Sequence, residues 1–327
     1  GICDLVYEDL PQTQMSRVAL TRCQAYQPRE VRDAVRRQFE LLGLAGSIRR
    51  ADLVLVKPNM IAPRPPGSAV QTHPLVVTEV AKCLLDLGAR PMVGDSPAWG
   101  TLGRCAAASG LDLMLRSIGV PLVRLNRPTR QLLSDGRTWV PISSIVKEVD
   151  HVINLPKFKS HQQLMFTFAV KNMFGCVPGK TKPFWHMAKG RSVEEFSQFL
   201  VRLCQVIDPT ATIIDAVVGM EGPGPINGRP REIGYLVGSR DPIAAERICS
   251  QMVGVDPSSV PIIAAARALG MAVNAPLDLV GDLPLMVCQG FKIPTLVPVW
   301  FSPGRVAKSI MKGLVAVLRG VIKRRGQ

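Results

Sequence analysis

The stretch 153–180, INLPKFKSHQQLMFTFAVKNMFGCVPGK, decides how this chain is read. The apolar run 151–155 predicts a buried strand, and Pro156 predicts its end. Directly after it stand Lys157, Lys159 and His161, then a helix-like stretch carrying Lys171 and Asn172. In α/β proteins the loops beyond strand carboxyl ends face an open crevice in which ligands bind. Two lysines and a histidine there describe a positive lip, suited to a phosphate, a carboxylate or a metal-bound anion. A solvated basic loop is the competing reading.

Working outward, the pattern alternates. Strands are predicted over 16–23, 51–56, 90–94 and 120–125. Helices are predicted over 28–44, 74–87 and 102–118. The first of these helices places Val31, Val35, Phe39 and Leu42 at helical spacing. Residues 130–140, with Asp135-Gly136 inside, predict a hairpin. Downstream come a helix over 193–207, strands over 211–217 and 233–237, a helix over 241–253 capped by Asp241, and a helix over 258–269. Beyond Asn274 the pattern breaks into short, proline-interrupted pieces. The alternation predicts an α/β fold: a largely parallel sheet with helices on both faces, with a division into two lobes near 125–150 as an option.

Parallel strands bring their carboxyl ends to one edge. Lys57 and Asn59, then Asp95 and Ser96, then Lys157, Lys159 and His161 each follow a predicted strand. The glycine-rich loop 219–228 follows another, with Glu221, Gly222 and Gly224. The expected roles are anion binding by Lys57, Asn59, Ser96, Lys159, Lys171 and Asn172, helped by backbone amides at Gly222 and Gly224. Lys157, His161, Asp95 and Glu221 are the candidates for moving protons. Taken singly, each loop also reads as turn or capping chemistry.

Metal ligation by His73, His161 and His186 is chemically allowed, but no pair shows ligand spacing, so no metal is expected. His73 opens a helix, where capping alone accounts for it. The run Gly175–Thr181 imitates a phosphate-binding loop, yet Phe174 stands where the motif needs its first glycine. No dinucleotide fingerprint and no nucleophile elbow occurs, which argues against nicotinamide and serine-hydrolase chemistry.

The chain has 327 residues, 47% of them hydrophobic and only 5% aromatic. That content supports a globular core and argues against base-stacking platforms, so nucleic acid is not an expected partner. Of the net charge of +15, seven units come from basic residues within 302–327, a stretch with no acid. Written as a helix, that segment is a basic amphipathic tail, a reading that admits an anionic membrane surface as partner. No apolar run reaches bilayer-spanning length. The eight cysteines are scattered without a CxxC pair. They predict no disulfide framework and no iron–sulfur or zinc site, and a reducing, cytoplasmic setting.

The stretches VLVKPNM (54–60), VINLPKFKSH (152–161), FAVKNMFGCVPGK (168–180) and DAVVGMEGPGPINGRPR (215–231) resemble the family catalogued as domain of unknown function 362 (DUF362). The resemblance covers most of the chain and places one DUF362-like domain over 1–301, ahead of the tail. Many members resemble fusions to a ferredoxin-like module with iron–sulfur clusters. The sequence in hand holds none, so clusters are expected only in a partner or a missing module. Three functional classes stay open: an enzyme acting on a small anion, working with a ferredoxin-like partner; an adaptor for iron–sulfur or metal-cofactor proteins; and a peripheral membrane protein.

Overall fold

A computed structural model describes residues 15–299 of the chain. The basic tail lies outside the described residues. From the amino end come strands β1 (Ser16–Arg22), β2 (Leu53–Pro58), β3 (Arg90–Asp95) and β4 (Leu122–Arg124). A hairpin follows, β5 (Pro128–Leu132) with β6 (Trp139–Ser143). Then come β7 (His151–Leu155), β8 (Lys157–His161) and the short β9 (Met165–Phe166). The chain continues with the long β10 (Ala211–Glu221) and β11 (Arg229–Ser239), and β12 (Leu277–Gly281) is the last described strand.

The main sheet runs β12-β1-β11-β10-β7-β2-β3-β4, with β8 beside β10 and β9 beside β8. From β10 to β4 every neighbouring pair is parallel. β11, wedged between β10 and β1, runs against both its neighbours, and the short β9 runs against β8. The predicted α/β class and mostly parallel sheet are therefore present. The hairpin β5-β6 stands apart from the main sheet, and β7 re-enters that sheet between β10 and β2. Between β4 and β7 the chain thus makes an excursion from the main sheet through this hairpin.

Side chains alternate across the sheet, as strand geometry requires. Val18 and Leu20 of β1, Leu55 of β2 and Val152 of β7 pack with helices Val193–Ile207, Pro242–Met252 and Pro261–Ala268. Ala19, Val54, Val56 and Ile153 pack on the other side, with helices Pro28–Leu41 and Pro74–Asp86. Both faces are buried, which is why the central strands read as continuous apolar runs. The helices start where local chemistry says they should. Pro28 and Pro74 occupy first turns, the His73 ring accepts from the Leu75 amide at 3.3 Å, and Asp241 accepts from the Ile243 amide at 2.8 Å. The predicted helix over 102–118 is broken in two at Gly110, whose φ is +76°.

Two further departures matter for the site. Pro156 interrupts the strand without ending it: β8 resumes at once, and the Pro156 carbonyl accepts from the Asp215 amide of β10 at 2.9 Å. Lys157, Lys159 and His161 are strand residues, all buried, and not a solvated loop. The weakly patterned region beyond Asn274 contributes an edge strand, β12, parallel to β1. It also contributes Phe291, which is buried beside Phe158 and Phe166 at ring-centroid distances of 5.9 and 6.4 Å.

Phe291 lies in irregular backbone, yet it closes the aromatic cluster beneath β8. Phe291→Ala should lower stability by about 3 kcal/mol, the usual cost of emptying a buried aromatic site. Urea unfolding would show it, and a loss below ~1 kcal/mol would mean that the segment packs only loosely.

Candidate functional site

Where the parallel strands end, five elements meet through one chain of polar contacts. The Lys57 ammonium at the end of β2 lies 2.9 Å from the Asp95 carboxylate at the end of β3, with 1% and 5% of the two side chains exposed. The same carboxylate accepts from the backbone amides of Met60 and Ser96, at 2.8 and 2.7 Å. Lys57 also donates to the Pro58 carbonyl at 2.7 Å and to the Asn172 side chain at 3.3 Å. Asn172 donates onward to Asn154 of β7 at 2.8 Å, and Asn154 donates to Thr212 of β10 at 3.2 Å. A Cβ at Gly175 would overlap both the Lys57 ammonium and the Asp95 carboxylate, so the backbone can close over the pair only as glycine.

Above this network opens a cavity of about 540 Å³. Besides Lys57 it is lined by Lys159, Lys171 and Lys182. Lys159 is fully buried and donates to the Asn59 side chain at 2.9 Å and to the Val70 carbonyl at 2.7 Å. Lys182 is buried and donates to the Ser96 carbonyl. Lys171 is half-buried, with its ammonium over the rings of Phe174 and Phe196 at 4.6 and 5.3 Å from the centroids. Among the described residues no carboxylate forms an ion pair with Lys159, Lys171 or Lys182.

Loss of water sets the protonation of these groups. Burial drives Lys159 well below the usual lysine range, and the neighbouring Lys157 adds to the effect. Burial brings Lys171 down to about 7, with Lys182 pushing the same way. Lys182 falls to about 8, again chiefly by burial, against the pull of Asp95. His161 is held well below its ordinary value by burial, then by Lys171. Its Nδ1 accepts from the Gln163 amide at 3.1 Å, so the neutral ring carries its proton on Nε2. Glu246 supports the site from beneath. It accepts from the Val170 amide at 2.9 Å, and burial pushes its carboxyl up to about 8.

A second buried polar cluster lies outside the cavity. Lys157 pairs with Asp215 at 2.8 Å and donates to the Tyr26 hydroxyl at 2.6 Å. Tyr26 donates to Asp215 at 2.8 Å and stacks on His73, with ring centroids 3.6 Å apart. Every charge in this cluster has its partner within the protein.

The sequence profile of the family described as "Domain of unknown function (DUF362)" matches residues 54–251. The chain belongs to this family. A thylakoid-associated protein of Synechocystis sp. is 36% identical over 302 residues, covering 90% of this chain and 93% of its own. Among solved structures, the lactate racemase apoprotein from Thermoanaerobacterium thermosaccharolyticum aligns with a TM-score of 0.46 and 14% identity. That alignment covers 76% of this chain, and the chain spans about 60% of that protein's length.

In this DUF362 chain the predicted residues divide. Lys57, Asn59, Asp95 and Ser96 line the cavity, as do Lys159, His161, Lys171, Asn172 and Gly224. Lys157 does not, because it is consumed by Asp215 and Tyr26. Nor does Glu221, which accepts from the Lys292 amide at 3.0 Å. Gly222 is likewise turned to structure, its amide donating to the Lys292 carbonyl at 2.8 Å and its carbonyl accepting from Ser160. Asp95, expected to move protons, is fixed by Lys57 and two backbone amides. His73 belongs with Tyr26, apart from His161 and His186, which share the cavity. Among the described residues no three His, Cys, Asp or Glu side chains gather as a metal site. The seven described cysteines are free. Trp99 in the wall and the amide relay through Asn154 were not singled out from sequence. The position of Trp99, four residues after Asp95, was the one available signal.

Gly175→Ala should separate Lys57 from Asp95 and cost about 1–3 kcal/mol, as overpacking at a filled site does. Urea denaturation of the two proteins measures this directly, and an unchanged midpoint would show that the pair can shift aside.

Proposed function

We propose that this protein binds a small anion in the strand-end cavity and serves as the ligand-binding body of an enzyme. The single observation that supports this best is the set of three enclosed lysines, Lys159, Lys171 and Lys182, facing one cavity without a paired carboxylate among the described residues. A buried cation costs free energy unless it is answered by an opposite charge. A bound anion provides that charge for all three at once. The Lys57–Asp95 pair is internally neutral and holds the floor in shape. Lys171, near 7, is suited to exchanging a proton with a bound substrate, and the Nε2–H of His161 is a fixed donor. The ferredoxin-like electron partner belongs to the proposal on the family resemblance alone.

Sulfate is a suitable probe, because its charge is constant across the range that matters. Sulfate at a hundredfold excess over its dissociation constant should raise stability by about 2.7 kcal/mol. Its affinity should hold below about pH 7 and fall as pH rises through 7–8, where Lys171 and then Lys182 lose their protons. Lys159→Met should abolish the effect. A melting temperature that rises equally in wild type and Lys159→Met would mark a general salt effect and count against the site.

A second reading has its own support. The Synechocystis relative is thylakoid-associated by name, and the 302–327 segment here carries seven basic residues and no acid. No helix among the described residues is long and apolar enough to cross a membrane. We propose peripheral attachment through the tail. Full-length chain should co-sediment with anionic vesicles and release as salt rises, and a chain ending at residue 299 should not bind.

A further inference from the structure

The cavity wall changes character with depth. Its deepest residues are charged or amide-bearing: Lys57, Lys159, Asp95 and Asn172 are at most 4% exposed. Toward solvent the wall turns apolar. Ile61 and Pro97 are half-buried, Val297 is 38% exposed and Trp99 is 54% exposed. The backbone fixes this rim. The Trp99 amide donates to the Ile61 carbonyl at 3.0 Å, and the Val297 amide donates to the Gln162 carbonyl at 2.7 Å. Phe184, next to the wall residue Pro183, is 56% exposed, and Leu296, next to Val297, is 44% exposed. Large apolar side chains left in water around a polar-floored pocket mark a surface with something to cover it. The anion alone would leave them uncovered.

We propose that the ligand is an amphiphile: an anionic phosphate-type head seated on the lysine floor, with an apolar body lying along the rim formed by Ile61, Pro97, Trp99 and Val297. This deepens the anion-binding reading and rests on it. The volume suits such a ligand, since sites for molecules of drug size run from about 300 to 1,000 Å³. Charge and polarity are complementary at both ends. The head meets the enclosed ammonium groups of Lys159, Lys171 and Lys182. The body meets side chains that have no polar atoms to satisfy, apart from the Trp99 indole N–H, which sits where water reaches it. The described chain ends beside this rim, with the Pro298 carbonyl accepting from Gln163 at 3.3 Å.

The test is isothermal titration of the full-length chain with inorganic phosphate and with methyl, butyl, hexyl and octyl phosphate, each below its aggregation threshold. Affinity should climb along the series by about two- to fourfold per methylene, the upper value corresponding to complete burial of each group. Trp99→Ala should shrink the ratio of octyl phosphate to inorganic phosphate affinity at least several-fold. Lys159→Met should weaken octyl phosphate together with inorganic phosphate. If inorganic phosphate binds and the alkyl chain adds nothing, the amphiphile inference is overturned and the anion reading stands. If neither inorganic phosphate nor any alkyl phosphate binds, both are lost. A chain-length effect that survives undiminished in Lys159→Met would show adsorption elsewhere and overturn the inference as well.

Discussion

The organisation of this protein turns on the buried contact between Lys57 and Asp95. Two adjacent parallel strands end there with opposite charges in a place that water barely reaches. Neither charge would be tolerable alone at that depth. Together they are held by two backbone amides on the acid and by a carbonyl and an amide oxygen on the base. Full satisfaction of the group is what allows it to be rigid. It ties the ends of β2 and β3 to the short helix Ala169–Asn172 and, through Asn154, to β7 and β10. The cavity is built on that platform, so its floor is set by hydrogen bonds and ion pairing more than by apolar packing.

The cavity itself comes from the break at Pro156. As far as Leu155, β7 lies between β2 and β10. After Pro156 the pairing with β2 stops and β8 runs between β10 and the short β9, with a register shift against β10 between Asp215 and Met220. Strands that part in this way leave a gap at the carboxyl edge, the place where open α/β sheets accept ligands. The shift also separates lysines only two residues apart. Lys157 is spent on Asp215 and Tyr26, whereas Lys159 turns to Asn59 and the cavity.

Much of the fold was legible because central strands buried on both faces must read as unbroken apolar runs, and because Pro and Asp at helix starts are chemically specific. The shared edge was legible for the same reason: parallel strands leave no choice about where their ends go. The division of labour within the edge was not. Lys157 and Lys159 look alike in sequence, and only the course of β8 beside β10 tells them apart. Glu221 was read as a loop residue because glycines surround it, yet β10 runs straight through Gly219 to Glu221. There the glycine serves packing: a Cβ at Gly219 would press on Phe158 and Ile233. The buried role of Phe291 was hidden because irregular backbone carries no periodicity to read.

Two kinds of lysine therefore sit side by side, and their contrast carries the functional argument. Lys57 and Lys157 each have a carboxylate within 3 Å and answer to structure. Among the described residues Lys159, Lys171 and Lys182 have carbonyls, an amide oxygen and aromatic faces in place of a carboxylate. Such contacts accept hydrogen bonds or attract a cation without neutralising it. Burial first, and then neighbouring cations, holds these ammonium groups below their ordinary range, and part of the charge is given up near neutral pH. A fold whose only requirement was stability would have filled these positions with apolar side chains of similar volume, at lower cost. On the proposed reading, an entering anion would restore the charge that burial removes, so protonation and ligand binding would be coupled at this edge of the sheet.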